Sequence, residues 1–174
     1  MISILPVKDC RRLLKAAGPA GLAPYVAVCL FGGVRPAETA RLKWDAVNLK
    51  DREIRLEANQ VKTGRRTQRG RTVAICDTLY AWLKVHKDKA FYPANWRKKF
   101  DAVRKRAKIK EWPHDVMRHT AISHYFRKTG SYGRAAEQFG NSEAIIKKNY
   151  QGRVTSEDTN KFYALRPAKK GASK

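Results

Sequence analysis

One stretch of this 174-residue chain constrains its fold more than any other. From Leu22 to Leu30 nearly every residue is apolar, and Gly32 and Gly33 follow closely. A helix that is apolar on all sides has to be buried on all sides. The stretch therefore predicts a central helix with other elements packed around it. It is well short of the roughly 18 apolar residues that a membrane-spanning helix needs.

Apolar residues at helical spacing recur along the rest of the chain. Gly18 and Pro19 end the first such segment, Asp77 is a candidate N-cap, and Thr155 opens a capping-box-like pattern. Helices are predicted over residues 7–17, 78–85, 96–107, 132–139, 142–150 and 155–165. A further helix is expected to open within Trp112–Thr120, after a Trp-Pro pair that is unsuited to a helix interior.

Between the helices lies a segment with the period-two alternation of β-strands. Residues 53–58 and 71–75 alternate in this way, and Val61–Thr63 is expected to add another strand that leads into a basic hairpin. The fold class predicted is mainly α (α+β): a helical domain with a small three-stranded antiparallel sheet.

The charge of the chain points to a polyanionic partner. It has 38 Lys and Arg against 15 Asp and Glu, a net charge of +23, which repels itself unless it meets a polyanion such as a phosphate backbone. A solvated cationic surface or a ribosome-like binder is the alternative. Aromatic residues among the basic ones favour a folded nucleic-acid-binding domain. The side chains predicted to contact the backbone are Arg65, Arg66 and Arg69 on the hairpin and Lys98 and Lys105 on the helix 96–107.

Cysteine usage and the N-terminus suggest an intracellular protein. Cys10, Cys29 and Cys76 are widely spaced, with no CxxC pair and no histidine at metal-ligand spacing, so neither a zinc site nor a disulfide framework is predicted. Residues 1–6 lack the layout of a signal peptide. We expect a cytoplasmic, nucleoid-associated protein with no cofactor.

Arg35 is the first candidate site residue. It lies between the Gly32-Gly33 stop and Pro36, which suits the first turn of the next helix, so backbone braces it on both sides. Glu38, three residues on, is positioned to orient the guanidinium. A simple surface Arg–Glu pair of small energetic value is the alternative.

The second candidate segment is Trp112–Thr120. Residues three or four apart share one face of a helix, so His114 or Asp115 is expected to point with Arg118 at one small object. Tyr150 follows a lysine-rich helix, where a tyrosine by itself is more often a surface or packing residue than a nucleophile.

Taken together, these motifs resemble those of the catalytic domain of tyrosine recombinases, the phage integrases. They are Phe31–Glu38 with Leu42–Trp44, the Lys62 hairpin, Arg118–Thr120, Gly140–Ser142 and Tyr150. The resemblance extends from about Val7 to Leu165. It implies a catalytic domain over residues 1–166, a basic tail over residues 167–174, and no N-terminal DNA-clamping (core-binding) domain.

The resemblance also implies roles for single residues. Arg35 corresponds to the first catalytic arginine, Lys62 to the hairpin lysine, Arg118 to the second arginine and Tyr150 to the nucleophile.

Two positions depart from the family pattern. The family's HisxxArg motif would have its histidine at position 115, where this chain has Asp115, and His114 is one residue early. We predict that His114 takes over the role. The family's later His or Trp is Asn141 here, which can still donate an amide hydrogen bond to a phosphate.

The implied activity is cleavage and rejoining of double-stranded DNA through a covalent 3′-phosphotyrosine, without metal or ATP. Two arginines would stabilise the phosphorane, and a cationic pocket is expected to favour the Tyr150 phenolate. The partners expected are DNA and further copies of the chain on DNA, and no membrane. The alternatives are a catalytically impaired DNA-binding module derived from an integrase and a type IB topoisomerase-like activity.

Overall fold

The computed structural model describes residues 2–59, 70–87 and 89–168. Within these ranges the chain forms nine α-helices, one 3-10 helix (Trp44–Ala46) and three strands. The helices are α1 (Val7–Ala17), α2 (Ala23–Phe31), α3 (Pro36–Thr39), α4 (Asp77–Val85), α5 (Trp96–Arg106), α6 (Val116–Thr129), α7 (Tyr132–Phe139), α8 (Glu143–Tyr150) and α9 (Ser156–Tyr163). The strands are β1 (Val47–Asn48), β2 (Glu53–Leu56) and β3 (Arg71–Ala74). The predicted mainly helical class with a small sheet is confirmed.

Helix α2 is the centre of the fold. All of its residues are buried, and α1, α4 and α6 pack around it, so the prediction from its composition is confirmed. It begins one residue later than predicted, with Pro24 in its first turn, where the missing N–H costs no helical hydrogen bond. Gly32 closes the helix by donating its N–H to the Val28 carbonyl at 3.0 Å.

The three strands form one antiparallel sheet in the order β1-β2-β3. Ile54 pairs with Val73, and both side chains are buried together with Leu56, so one face of the sheet covers the core. The first strand, Val47–Asn48, was not predicted because two residues are too short to show an alternation. The predicted strand Val61–Thr63 lies outside the described residues.

The C-terminal helices enclose a second apolar cluster. It consists of Ala121, Ile122, Phe126, Ala135, Phe139, Ile146 and Tyr150, from α6, α7 and α8. Hydroxyl side chains cap three of these helices: Ser131 accepts from the N–H of residue 134, Ser142 from that of residue 145 and Thr155 from that of residue 158. Such caps satisfy N–H groups that have no partner within the helix, and they fix where α7, α8 and α9 begin.

Helix α4 begins one residue earlier than predicted, and helix α6 begins within the predicted segment. Asp77 is the first residue of α4 and Cys76 occupies the N-cap position; the Asp77 carboxylate pairs with Arg52 at 3.4 Å. Helix α6 begins at Val116, because Asp115 before it has a left-handed backbone with φ +53°. A residue in that conformation cannot continue a right-handed helix.

Candidate active site

Arg118 connects three segments that are distant in sequence. It lies in the first turn of α6 and is only 4% exposed. Its Nη1 donates to the Gly33 carbonyl at 2.6 Å. Its Nη2 donates to the Phe139 carbonyl and to Asn141 Oδ1 at 3.2 Å. The segment before α3 and the segment after α7 therefore meet at one guanidinium.

Gly33 makes this arrangement possible. Its φ is +61°, and a Cβ at this position would lie 2.5 Å from Cδ1 of Phe139, which is too close for any side chain. The Phe139 carbonyl is available because it belongs to the last turn of α7, where carbonyls have no helical partner. Gly140, with φ +65°, ends that helix and leads the chain to Asn141.

Glu38 binds two arginines from a buried position. It is 1% exposed. Its carboxylate accepts from the Arg35 N–H at 2.9 Å, from Arg35 Nη1 at 3.1 Å and from Arg71 Nη2 at 2.6 Å. Burial opposes ionisation, but the charge of Arg71 and the contacts from Arg35 outweigh it and lower the pKa of Glu38. Glu38 therefore orients Arg35 as predicted, and the alternative of a surface pair is wrong.

Arg71 was not identified from the sequence. It is the first residue of β3 and also donates from Nη1 to the Gln138 carbonyl at 3.0 Å. A signal was present: in a strand, alternate residues share a face, and Arg71 alternates with Val73 of the buried face. An arginine in such a position is rarely unpaired, so the alternation indicates that Arg71 has a partner but not which residue that is.

The cationic groups lie close enough to influence one another. Burial, and then the charges of Arg35 and Arg71, lower the pKa of Arg118 to about 9, so its guanidinium stays protonated at neutral pH. Arg118 also interacts electrostatically with Tyr150. The site therefore contains three guanidinium groups, and those of Arg118 and Arg35 act on the Tyr150 phenol.

Tyr150 is buried in the protein without DNA. It is 4% exposed, its ring belongs to the second apolar cluster, and its hydroxyl lies 2.9 Å from Nδ1 of His119. Burial raises the pKa of Tyr150, with a smaller contribution from Asp115, and outweighs the opposing charges of Arg118 and Arg35. The expectation that the pocket favours a phenolate is therefore wrong for the protein without DNA.

The sequence did not indicate a role for His119. It adjoins Arg118 in a quoted motif, but nothing in the local pattern distinguishes it from a helix residue on a neighbouring face. Its proximity to Tyr150 results from the packing of α8 against α6.

His114 does not share a helix face with Arg118, contrary to the prediction. Since α6 begins at Val116, His114 belongs to the turn before the helix. Its side chain is 94% exposed, and its Nδ1 lies 3.6 Å from a carboxylate oxygen of Asp115. The imidazole that contacts Tyr150 is that of His119.

The remaining predicted residues fall into two groups. Lys62, Arg65, Arg66 and Arg69 lie outside the described residues. Lys98 and Lys105 are exposed on α5, as a role in contacting a phosphate backbone requires. Of the predicted catalytic set, the structure brings together Arg35, Arg118, Asn141 and Tyr150.

Guanidinium groups around a phenol can bind a phosphodiester and stabilise the charge that develops when its phosphorus is attacked. In the part of the chain that the structure describes, no three His, Cys, Asp or Glu side chains are grouped as a metal ion would require. No described helix is long and apolar enough to cross a bilayer.

Comparison with known proteins identifies the family. The model of the phage integrase family matches residues 4–152. The chain belongs to the phage integrase family. Among solved structures, this integrase-family chain is similar to XerA recombinase, with a TM-score of 0.70 and 20% identity over 97% of this chain and 67% of that one. It is also similar to the catalytic domain of bacteriophage HP1 integrase, with a TM-score of 0.61 and 24% identity over 96% of this chain and 90% of that one.

At these identities the two structures establish the fold alone. No curated relative matches the integrase-family chain in sequence. Membership of the family supports a role in DNA recombination or integration and, with it, DNA as the partner.

Proposed function

We propose that this integrase-family protein cleaves and rejoins double-stranded DNA through a covalent 3′-phosphotyrosine at Tyr150. Residues 1–166 would form the catalytic domain and residues 167–174 a basic tail. The protein would act in the cytoplasm on the nucleoid and self-associate on DNA. The observation that carries the proposal is the single guanidinium of Arg118, which bonds to the segment that leads into Arg35 and to the segment that leads into Asn141.

The electrostatics of the site support the role of the arginines. Arg35 and Arg118 both lower the pKa of Tyr150 against the effect of burial, so their charges act at the phenol oxygen. The side chain of Arg35 is 23% exposed, which leaves it accessible to a phosphate. Arg118 is more deeply buried and holds the site together, with its charge directed at the same region.

The proposed reaction conserves the phosphodiester bond energy. Tyr150 Oη attacks phosphorus, the bond from phosphorus to the 5′ oxygen breaks, and the leaving oxygen receives a proton from Lys62. The guanidinium groups stabilise the pentavalent intermediate. In the second step a 5′-hydroxyl gives its proton back to Lys62, attacks the phosphotyrosine and releases Tyr150, so no nucleoside triphosphate is consumed.

Two further side chains are proposed to assist. Asn141 accepts from Arg118 through Oδ1, which leaves its amide nitrogen to donate to a phosphate oxygen. His114 would contact the DNA from its exposed position. If so, His114→Ala should weaken DNA binding, whereas Asp115→Ala should have little effect. The reverse result would mean that Asp115 supports the site and His114 does not.

A nicked suicide duplex tests the proposal. Cleavage near the nick releases a short strand that diffuses away, so the covalent protein–DNA adduct accumulates and is counted on a denaturing gel. We expect an adduct with the wild-type protein and none with Tyr150→Phe. Tyr132→Phe is the matched control, because the Tyr132 hydroxyl bonds to Gln151 rather than to the site, and its adduct should form at the normal rate.

The same assay, run beside assays with a supercoiled plasmid and with an acceptor duplex, separates the alternatives. DNA binding without an adduct in the wild-type protein would identify a DNA-binding module. An adduct accompanied by relaxation of supercoiled DNA, without transfer to a second duplex, would identify a topoisomerase-like activity. Strand transfer to a partner duplex supports the recombinase.

A further inference from the structure

His119 contacts the hydroxyl of the proposed nucleophile, Tyr150, through a ring nitrogen. Its Nδ1 lies 2.9 Å from Tyr150 Oη, which is within hydrogen-bonding distance. The two rings are tilted by 37° with their centroids 5.9 Å apart, so the contact is made edge to hydroxyl and not by stacking. The geometry suits a proton shared between the phenol and the imidazole.

The backbone of His119 is held firmly. Its N–H donates to the Asp115 carbonyl at 2.9 Å, and its carbonyl accepts from the Ser123 hydroxyl at 2.8 Å. The residue is half-buried, next to the strongly bonded Arg118. The imidazole is therefore positioned before DNA arrives.

The charged and titratable groups around His119 favour the neutral imidazole. Burial, assisted by the charges of Arg118 and His114 and opposed by Asp115, lowers the pKa of His119. On α8 the imidazole faces Tyr150, whose own pKa is raised. At neutral pH the pair is an unprotonated imidazole beside a protonated phenol, which is the ground state that a general base requires.

We propose that His119 is the general base of the cleavage step, accepting the Tyr150 proton at Nδ1 as the phenol oxygen bonds to phosphorus. The inference rests on the proposed function. As the Oη–phosphorus bond forms, the phenol proton moves to Nδ1, while the bond to the 5′ oxygen breaks and Lys62 protonates the leaving strand. In rejoining, the imidazolium returns its proton to Tyr150.

Two substitutions distinguish a role of His119 as a general base from a role as a hydrogen-bond acceptor only. His119→Ala removes both functions. His119→Asn can present an amide oxygen near the position of Nδ1, but this oxygen does not take up a proton at neutral pH. We expect both variants to bind DNA normally and to form the adduct roughly 10²-fold more slowly than wild type. Free imidazole should restore part of the rate to His119→Ala and none to His119→Asn, whose side chain fills the space.

The pH profile supplies a second readout. The wild-type cleavage rate should fall as the pH drops through the pKa of His119, because the protonated imidazole cannot accept a proton. The His119→Asn variant should lose this acid limb. A purely structural role for His119 would lower the rate without changing the shape of the profile.

A modified leaving group distinguishes protonation of the leaving strand from deprotonation of the nucleophile. In a DNA with sulfur in place of the bridging 5′ oxygen, the leaving thiolate needs no proton, since a thiol is far more acidic than an alcohol. Lys62→Ala should then regain most of its lost rate, whereas the His119 variants should stay slow because their defect is at the nucleophile.

Failure of this inference is distinguishable from failure of the proposed function. A wild-type protein that forms no adduct overturns both. If the wild-type protein forms an adduct, Tyr150→Phe forms none and His119→Asn reacts with the wild-type rate and pH profile, the base is not His119 and the recombinase remains. Nitrogen-15 chemical shifts of the free protein add a test without DNA: we expect the His119 proton on Nε2, and a proton on Nδ1 would overturn the inference.

Discussion

Arg71 Nη2 lies 2.6 Å from Glu38 Oε2, although 33 positions separate the two residues in sequence. The side chains are 11% and 2% exposed, and the same carboxylate also holds Arg35. An arginine at the start of β3 and the first acidic residue after Arg35 thus form one unit. Through this unit the small sheet is coupled to the arginine that is proposed to bind the phosphate.

This pair should show strong energetic coupling. Removing one partner of a buried ion pair leaves a buried uncompensated charge and costs about 3–5 kcal/mol. We expect Glu38→Gln and Arg71→Met each to lower the free energy of unfolding by an amount near this range, and the double variant to lose less than the sum. Urea unfolding of the four proteins measures the coupling. The control is Arg12 with Asp9, also 2.6 Å apart but with the arginine 44% exposed, where a coupling below about 1 kcal/mol is expected.

Gly33→Ala should damage both stability and the site. The substituted residue would have to adopt a positive φ, at about 1–2 kcal/mol, and displace the Phe139 ring, at a further 1–3 kcal/mol or so. Gly21 is a matched control, because its φ is +71° but nothing lies within 4 Å of its added Cβ. In thermal or urea unfolding, Gly21→Ala should therefore lose only the free energy that a positive φ costs an alanine. Equal losses for the two variants would mean that the ring moves aside freely.

Stability should fall on acidification because of His124. This residue is buried, stacks on Phe162 at 4.1 Å and lies 3.0 Å from the Thr159 hydroxyl. Burial lowers the pKa of His124 to about 4, so between roughly pH 6.5 and pH 4 the unfolded chain binds a proton that the folded one does not. The stabilisation is complete above this window and is lost through it, by roughly 3 kcal/mol in total.

Urea unfolding between pH 7 and pH 4 measures this loss. His124→Gln should reduce the slope of stability against pH while lowering stability at pH 7. His114→Gln, at a position whose side chain is 94% exposed, should leave the slope unchanged. A wild-type slope near zero would contradict the assignment.

DNA affinity should depend steeply on salt. With a net charge of +23, the logarithm of the binding constant should fall linearly with the logarithm of salt concentration as counterions are released. Lys98→Ala and Lys105→Ala should each reduce the slope by about 1 if the side chain contacts a phosphate. Lys161→Ala is the control, because its ammonium is paired with Glu157 at 2.6 Å. A slope that neither lysine changes would place the backbone contacts elsewhere.

Much of the fold could be predicted from local sequence. The apolar stretch Leu22–Leu30 required a buried central helix, and α2 is that helix. Helix α1 and helix α7 have the predicted bounds, and Thr155 caps α9 as expected. Periodicity and capping chemistry are properties of a few neighbouring residues, so they can be read without knowledge of the rest of the chain.

The contacts of the candidate site depend on tertiary structure more than the helices and strands do. Arg35 and its partner Glu38 lie in one turn and could be paired in advance. The contacts of Arg71 with Glu38 and of His119 with Tyr150 join different elements, and the sequence contains no spacing that encodes them. The balance of burial against charge that raises the pKa of Tyr150 likewise depends on how deeply packing buries the ring.

The turn before α6 shows most clearly what the local sequence determines and what the tertiary structure decides. The sequence by itself determined that Arg118 stands near a helix start with a histidine within four residues on either side. The left-handed backbone of Asp115 and the packing of α8 on α6 decided which histidine meets the tyrosine. One residue of helix register rotates a side chain by about 100°, since a turn takes 3.6 residues, and only the assembled structure determines where that register begins.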